Sequence, residues 1–227
     1  AWLYDDWNTN YTVVDRGNRG YPSMDPDTMR ALIRAYQAAG LHVSVHAIGD
    51  RAIDWVMDSY AQAFAEHPTP GLRHGIIHAN IPTDHALDLM VRLQRDFDAG
   101  YPEPSASFHW WLGDTYAANF GPARDRRLNP FNTYRTRGIR WANGSDFGVT
   151  PFAARYGIWA SVARETLLGS IDGDPFGREE VVDVHTALRA ATLWTAHQMF
   201  LDQEIGSIEV GKRADLAVWD RDPYAGP

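Results

Sequence analysis

The sequence predicts an α/β fold built on a parallel sheet. Short apolar runs that end in polar, ligand-type residues recur three times, at Leu41 to His46, Gly75 to His78 and Ile139 to Asp146. Stretches of helical periodicity lie between them, and strands alternating with helices argue for parallel pairing through right-handed crossovers. The two histidines and the aspartate fall at the ends of their runs, just before turns. That is the end of the strands at which α/β barrels place their chemistry.

Residues 1–23 read as a loop. They carry Asp5, Asp6, Asn8, Asn10, Gly17, Asn18, Gly20 and Pro22 with little periodicity. A loop this long suggests an active-site loop that follows an earlier strand. Asp25-Pro26 opens the first helix, with Met29, Leu32, Ile33 and Tyr36 as its apolar face and Gly40 as its stop. The strand Leu41 to Val45 follows, and Asp50 stands where a helix N-cap belongs. Ile53, Val56, Met57, Tyr60 and Phe64 keep helical spacing up to about Glu66, and Pro68 and Pro70 end that helix. Gly75 to Ala79 is the next strand, and Asp84 to Phe97 the next helix.

Ser105 to Trp110 reads as a further short strand, followed by an aromatic loop from Trp111 to Pro122. A helical turn over Pro130 to Arg137 precedes the strand Ile139 to Ala142. Phe152 to Leu168 and Val184 to Met199 read as helices. From Gly206 the character changes, with short strands expected around Ile208, Val210 and Leu216 to Trp219 and a turn at Gly211-Lys212.

Composition sets the outer bounds. With 227 residues, 44% hydrophobic and 22% charged, the chain is long enough for one sizeable domain of ordinary globular make-up. A net charge of −8 without a Lys/Arg cluster argues against a nucleic-acid surface. No cysteine is present, which excludes disulfides, thiolate ligands and a cysteine nucleophile. The apolar runs are too short to span a membrane, and a cytoplasmic setting is expected. G-x-S-x-G, the phosphate-binding glycine motifs and H-E-x-x-H do not occur, which removes serine hydrolases, nucleotide binders and zincins.

The stretch Leu41 to Ala52, L-H-V-S-V-H-A-I-G-D-R-A, is the centre of the remaining signal. With R-H-x-I-x-H-A (Arg73 to Ala79), G-S-D-x-x-V-x-P (Gly144 to Pro151) and G-S-I-E-V-G-K-R-A-D-L-A-V-W-D (Gly206 to Asp220), it forms an ordered set. That set resembles the amidohydrolase superfamily, in its amidohydrolase family 3 or YtcJ-like branch. The resemblance implies the C-terminal half of a (β/α)₈ barrel over residues 1–205, and part of a small β-domain over 206–227. About four barrel strands can be counted where a closed barrel needs eight. The family's H-x-H pair and its bridging lysine or glutamate have no counterpart here, so the other half is expected from the same polypeptide or from a partner chain.

Two imidazoles and a carboxylate suit zinc or a similar divalent ion. The resemblance gives His46 and His78 as metal ligands, against the plain alternative of core histidines bonded to backbone. It gives Asp146 as a ligand that also takes a proton from the activated water and returns it to the leaving amine, against the alternative of a simple cap. Asp50 and Arg51 read as structural, a cap and a partner for a neighbouring carboxylate. Ile77 departs from the glutamate that many family members carry. His109, Trp110 and Phe147 are candidates for a substrate pocket wall, or aromatic packing under a loop.

The expected activity is hydrolysis of an amide-type C–N bond in a small non-peptide substrate, with one or two divalent ions and zinc the first choice. The alternatives are ester, lactone or deamination chemistry on the same scaffold, or a non-catalytic fragment with a vestigial site. No nucleic-acid or membrane partner is expected, and a homo-oligomer stays open.

Overall fold

The computed structural model describes residues 1–169 and 177–225. A small hairpin, β1 (Asn8–Asn10) with β2 (Val13–Val14), interrupts the opening loop. Helix α1 (Pro26–Ala38) then starts as its sequence demands, with Asp25 accepting from the Thr28 N–H at 2.9 Å. Strand β3 (Ser44–Ala47), helix α2 (Asp50–Glu66), strand β4 (Gly75–His78), helix α3 (Asp84–Phe97) and strand β5 (Tyr101–Glu103) follow in alternation. The three strands pair in parallel in the order β3-β4-β5, with His46 level with Ile77 and Ile77 level with Glu103.

The core lies between this sheet and its helices. Val45, Ala47 and Ile76 from the strands meet Ile53, Met57, Tyr60 and Phe64 of α2 and Leu87, Met90 and Leu93 of α3. Each large side chain sealed there contributes about 1.5–3 kcal/mol. At the N-terminal end of the strands a charged cluster ties the layers together. Asp98 accepts from His197 Nε2 at 2.9 Å and faces Arg73, whose Nη1 meets Asp202 at 2.8 Å.

Several elements differ from expectation. Gly49 (φ +101°), not Asp50, caps α2; Asp50 is its first residue, and its Oδ1 accepts from the Tyr4 and Arg51 N–H groups. Arg51 lies over the Trp2 ring at 4.2 Å rather than against a carboxylate. The strand expected at Ser105 to Trp110 lies a few residues earlier, as β5, and the expected loop is helix α4 (Ser107–Phe120). Its sequence carries aromatic residues all round the helix, so no periodicity announces it. Helix α5 (Phe131–Thr136) and helix α6 (Ala154–Ala163) fall inside their expected ranges. The single helix expected over Val184 to Met199 breaks at Thr192 into α7 (Val184–Ala191) and α8 (Leu193–Gln198).

The stretch expected as strand Ile139 to Ala142 has a specific reason for not being one. It lies beside β5, with the Ala142 N–H on the Pro102 carbonyl at 3.1 Å and the Gly144 N–H on the Pro104 carbonyl at 3.3 Å. In a parallel ladder the return donors would be the N–H groups of residues 102 and 104, and proline has none. Gln94 of α3 fills the gap, donating to the Arg140 carbonyl at 2.9 Å and accepting from its N–H at 3.0 Å. A fourth strand position is occupied without a ladder.

The strands expected after Gly206 are turns and irregular chain, with Ile208 89% and Val218 98% exposed. Strands form only where a neighbour takes their N–H and C=O groups, and among the described residues none lies alongside. Among the described residues no helix is long and apolar enough to cross a membrane.

Candidate metal centre

His46 is the third residue of β3 and shares its face with Ser44, two residues earlier along the pleat. His78 ends β4 level with Ala47, a core residue, so strict alternation would send its ring toward the helices. The backbone prevents this. His78 (φ +74°) and Ala79 (φ +45°) both take the left-handed conformation, which costs non-glycine residues of order 1–3 kcal/mol each. The His78 ring instead meets His46 edge to face, at 4.6 Å between centroids, and stacks on Phe108 at 5.2 Å.

Asp146 comes from the loop after the fourth strand position. Its own φ is +50°, and its carbonyl accepts from the Val149 N–H at 2.9 Å. Thr150 pins this loop from below. Its Oγ1 donates to the Ser145 carbonyl and lies 2.7 Å from Ser107 Oγ of α4. The result brings Asp146 Oδ2 to 3.9 Å from His78 Nε2, with the carboxylate 44% exposed and the imidazole almost sealed.

The electrostatics follow from that asymmetry. Burial, reinforced by His46 and opposed by Asp146, pushes His78 down to about 4, so the ring is neutral at pH 7 and has a lone pair to give. Its Nδ1 is buried without a hydrogen-bond partner. Burial and then the Asp146 charge push Tyr116 up to about 12. Phe108 and Tyr116, both from α4, wall the site on one side, and sequence reasoning missed them because it missed their helix. Two imidazoles and a carboxylate are donors of the type a divalent ion takes. A metal-bound histidine ordinarily donates its second ring N–H to a carboxylate, carbonyl or water, and the described residues give His78 Nδ1 no such partner. Among the described residues no three His, Cys, Asp or Glu side chains close into a complete coordinating group. His78 lies against His46, and its Nε2 is 3.9 Å from Asp146 Oδ2.

The other expected residues separate. His109 is 0% exposed; its Nε2 donates to the Arg164 carbonyl at 3.1 Å, and burial holds it well below the ordinary imidazole range. It packs within the molecule, turned inward by α4, and lines neither the groove beside Trp110 nor the cavity beside Asp146. Trp110 stacks on Tyr156 at 5.1 Å and lines a groove of about 830 Å³ with Trp159, Trp219 and Tyr224. Asp146 lines a different cavity, of about 550 Å³, with Ile77, Glu103 and Asn143. Phe147 is 73% exposed beside Asp146 and edges Phe152 at 5.5 Å.

Comparison with known proteins gives one family. Residues 4–226 match a family model described as the amidohydrolase family. The chain is 29% identical over 212 residues to YtcJ of Bacillus subtilis, an amidohydrolase by name, covering 93% of this chain and 38% of that protein. It is 32% identical over 185 residues to the N-substituted formamide deformylase of Arthrobacter pascens, covering 81% of this chain and 32% of the relative. The chain thus spans about a third to two fifths of the length of these relatives. A metal-dependent hydrolase of Pyrococcus horikoshii shares the fold, with a TM-score of 0.81 at 21% identity over all of this chain and 42% of that one.

Proposed function

Since the chain belongs to the amidohydrolase family, we propose that it carries part of a metal-dependent hydrolase site that cleaves an amide-type C–N bond of a small non-peptide substrate. The position of His78 against His46 and close to Asp146, beside the C-terminal ends of β3 and β4, supports this reading. In it, His46, His78 and Asp146 hold a divalent ion, zinc by donor type. Such an ion polarises a carbonyl and brings the pKa of water from about 15.7 to about 7.

The chain's own residues do the rest. Neutral His78 offers its lone pair without first losing a proton. Asp146, open to solvent on one side, takes a proton at its carboxylate and gives it to the departing nitrogen. Phe108 and Tyr116 keep water from the buried side of His78. Phe147 supplies an aromatic wall at the mouth, and Trp110 serves a more remote part of the substrate. The relative named N-substituted formamide deformylase supports a small N-substituted amide as the substrate class.

The outer edge of β3 has no strand beside it among the described residues. This supports a barrel completed by further strands, in the same polypeptide or a partner chain, which would bring the remaining ligands. It also supports a small β-domain that takes up 206–225.

Elemental analysis of the purified protein, with assays on a panel of N-acyl and N-formyl amines before and after chelation, tests the proposal. A bound divalent ion and amide hydrolysis lost on chelation and restored by zinc are expected. Turnover that survives chelation would overturn the metal role, and hydrolysis of esters alone would overturn the C–N assignment.

A further inference from the structure

One face of β3 carries a pattern that the metal site does not use. His42, Ser44 and His46 alternate in sequence, which places them on one side of the chain as it runs through the strand. Ser44 Oγ lies 2.6 Å from Glu103 Oε1 across the sheet and 3.1 Å from His42 Nε2. His42 Nδ1 lies 2.9 Å from the Leu72 carbonyl. Gln198 Nε2 donates to the same Glu103 oxygen. Gly75 makes room for this carboxyl, since a Cβ there would meet Glu103 Oε1 at 1.7 Å.

With one proton to share between Glu103 and His42, this chain has two arrangements. Leu72 offers only a carbonyl, so His42 Nδ1 always carries a hydrogen. If Glu103 is a carboxylate, Ser44 donates to it and His42 Nε2 must donate to Ser44, which makes His42 an imidazolium. If Glu103 is a carboxylic acid, it donates to Ser44, Ser44 donates to His42 Nε2, and His42 is neutral. One arrangement becomes the other when Nε2–H passes to Ser44 Oγ as Ser44 O–H passes to Glu103 Oε1. No proton is gained or lost, and no atom moves far.

We propose that Glu103, Ser44 and His42 form a proton relay along the wall of the cavity that Asp146 lines. Glu103, His42 and Asp146 all border that cavity, of about 550 Å³. Burial raises Glu103 toward the neutral form, which brings the two arrangements closer in energy. Gln198 supports both states. Its Nε2 donates to Glu103 Oε1 in both, because a protonated Oε1 keeps a lone pair. The other titratable groups around the chain are Tyr60, which feels the Glu103 charge, and His74, whose ring lies 6.2 Å from His42. In the hydrolase reading, on which its catalytic use rests, the relay resupplies protons to a site whose mouth the substrate covers.

Through Ser44 the proton links the two end groups. The test labels His42 with ¹⁵N and Glu103 with ¹³C in the full protein and follows both by NMR across pH. In the wild type, each signal moves at both pH steps. In Ser44→Ala, which keeps both charges and removes the bridge, each moves at one step only, and Ser44→Thr restores the coupled behaviour. Wild-type signals that each move at a single step would overturn the relay. This readout needs neither metal nor turnover, so it stands or falls apart from the hydrolase reading. In active enzyme, Ser44→Ala lowers kcat and leaves KM unchanged; an unchanged kcat and pH profile would overturn the catalytic use.

Discussion

The imidazole of His46 meets that of His78 edge to face, at 4.6 Å between centroids, across two adjacent parallel strands. His46 reaches this position by ordinary pleating, whereas His78 depends on a left-handed backbone to turn its ring. The pair is the part of the candidate metal centre that the local chain builds most firmly.

Replacing either histidine by alanine is therefore expected to weaken metal binding by about a hundredfold or more, read by isothermal titration with zinc. His78→Ala also leaves a void against Phe108 and should lower thermal stability, whereas the exposed His46→Ala should not. Equal affinity in wild type and both variants would remove the pair from the site.

Asp146→Asn keeps size and loop geometry but loses the group that accepts a proton. Turnover is expected to fall by a factor of about 10²–10⁴, with metal content measured by mass spectrometry largely kept. Activity within twofold of wild type would end the proton-transfer role.

The buried His74 makes stability depend on pH. The Val43 N–H donates to its Nδ1 at 3.2 Å, and its Nε2–H donates to Gln37 Oε1 at 2.6 Å, so the ring is held neutral. Burial and then His42 push it down to about 4 from an ordinary 6.5. The unfolded chain takes up this proton first as the pH falls. Stability is thus expected to drop between pH 6.5 and 4 by on the order of 3 kcal/mol, seen in urea midpoints. His74→Gln should flatten that slope, and an unchanged slope would discount His74 as its source.

Asp98 acts in a lower window. Burial would raise it, but hydrogen bonds from His197 and Tyr101 and the charges of His197 and Arg73 outweigh that and hold it at about 2. Its contribution is complete above the ordinary value of 3.8 and is lost as the pH falls toward 2. Asp98→Asn is expected to lower the melting temperature at pH 7 and to change it little at pH 2. A loss of equal size at both would mean that its charge is not what matters.

Gly75→Ala tests the packing around Glu103. The new methyl would overlap Glu103 Oε1 and come within 2.6 Å of Gln198 Nε2. A loss of about 1–3 kcal/mol is expected in denaturant unfolding, and Glu103→Ala should relieve most of it in the double variant.

The helices α1, α2 and α3 and the strand β4 were legible in the sequence, since each is set by periodicity, a cap or a breaker within its own few residues, whereas β3 runs over Ser44–Ala47, later than the expected Leu41 to Val45. His46, His78 and Asp146 stand out as candidates because they lie at or near the ends of short apolar runs inside recognisable motifs, while the contacts of His78 with the other two come from the fold. Tertiary structure alone decided the rest. Helix α4 is aromatic on every side and takes its burial from packing, which no local pattern records. The stretch beside β5 lost its ladder because Pro102 and Pro104 lie opposite it, a fact about register. The residues after 206 carry strand-like patterns, yet hydrogen bonding in a sheet needs a neighbour and none lies beside them among the described residues. His109 points into the core, and Glu103 reaches Ser44, through strand and helix placements that bring distant residues together. A sequence specifies local preference and chemistry; which groups meet depends on how the layers close.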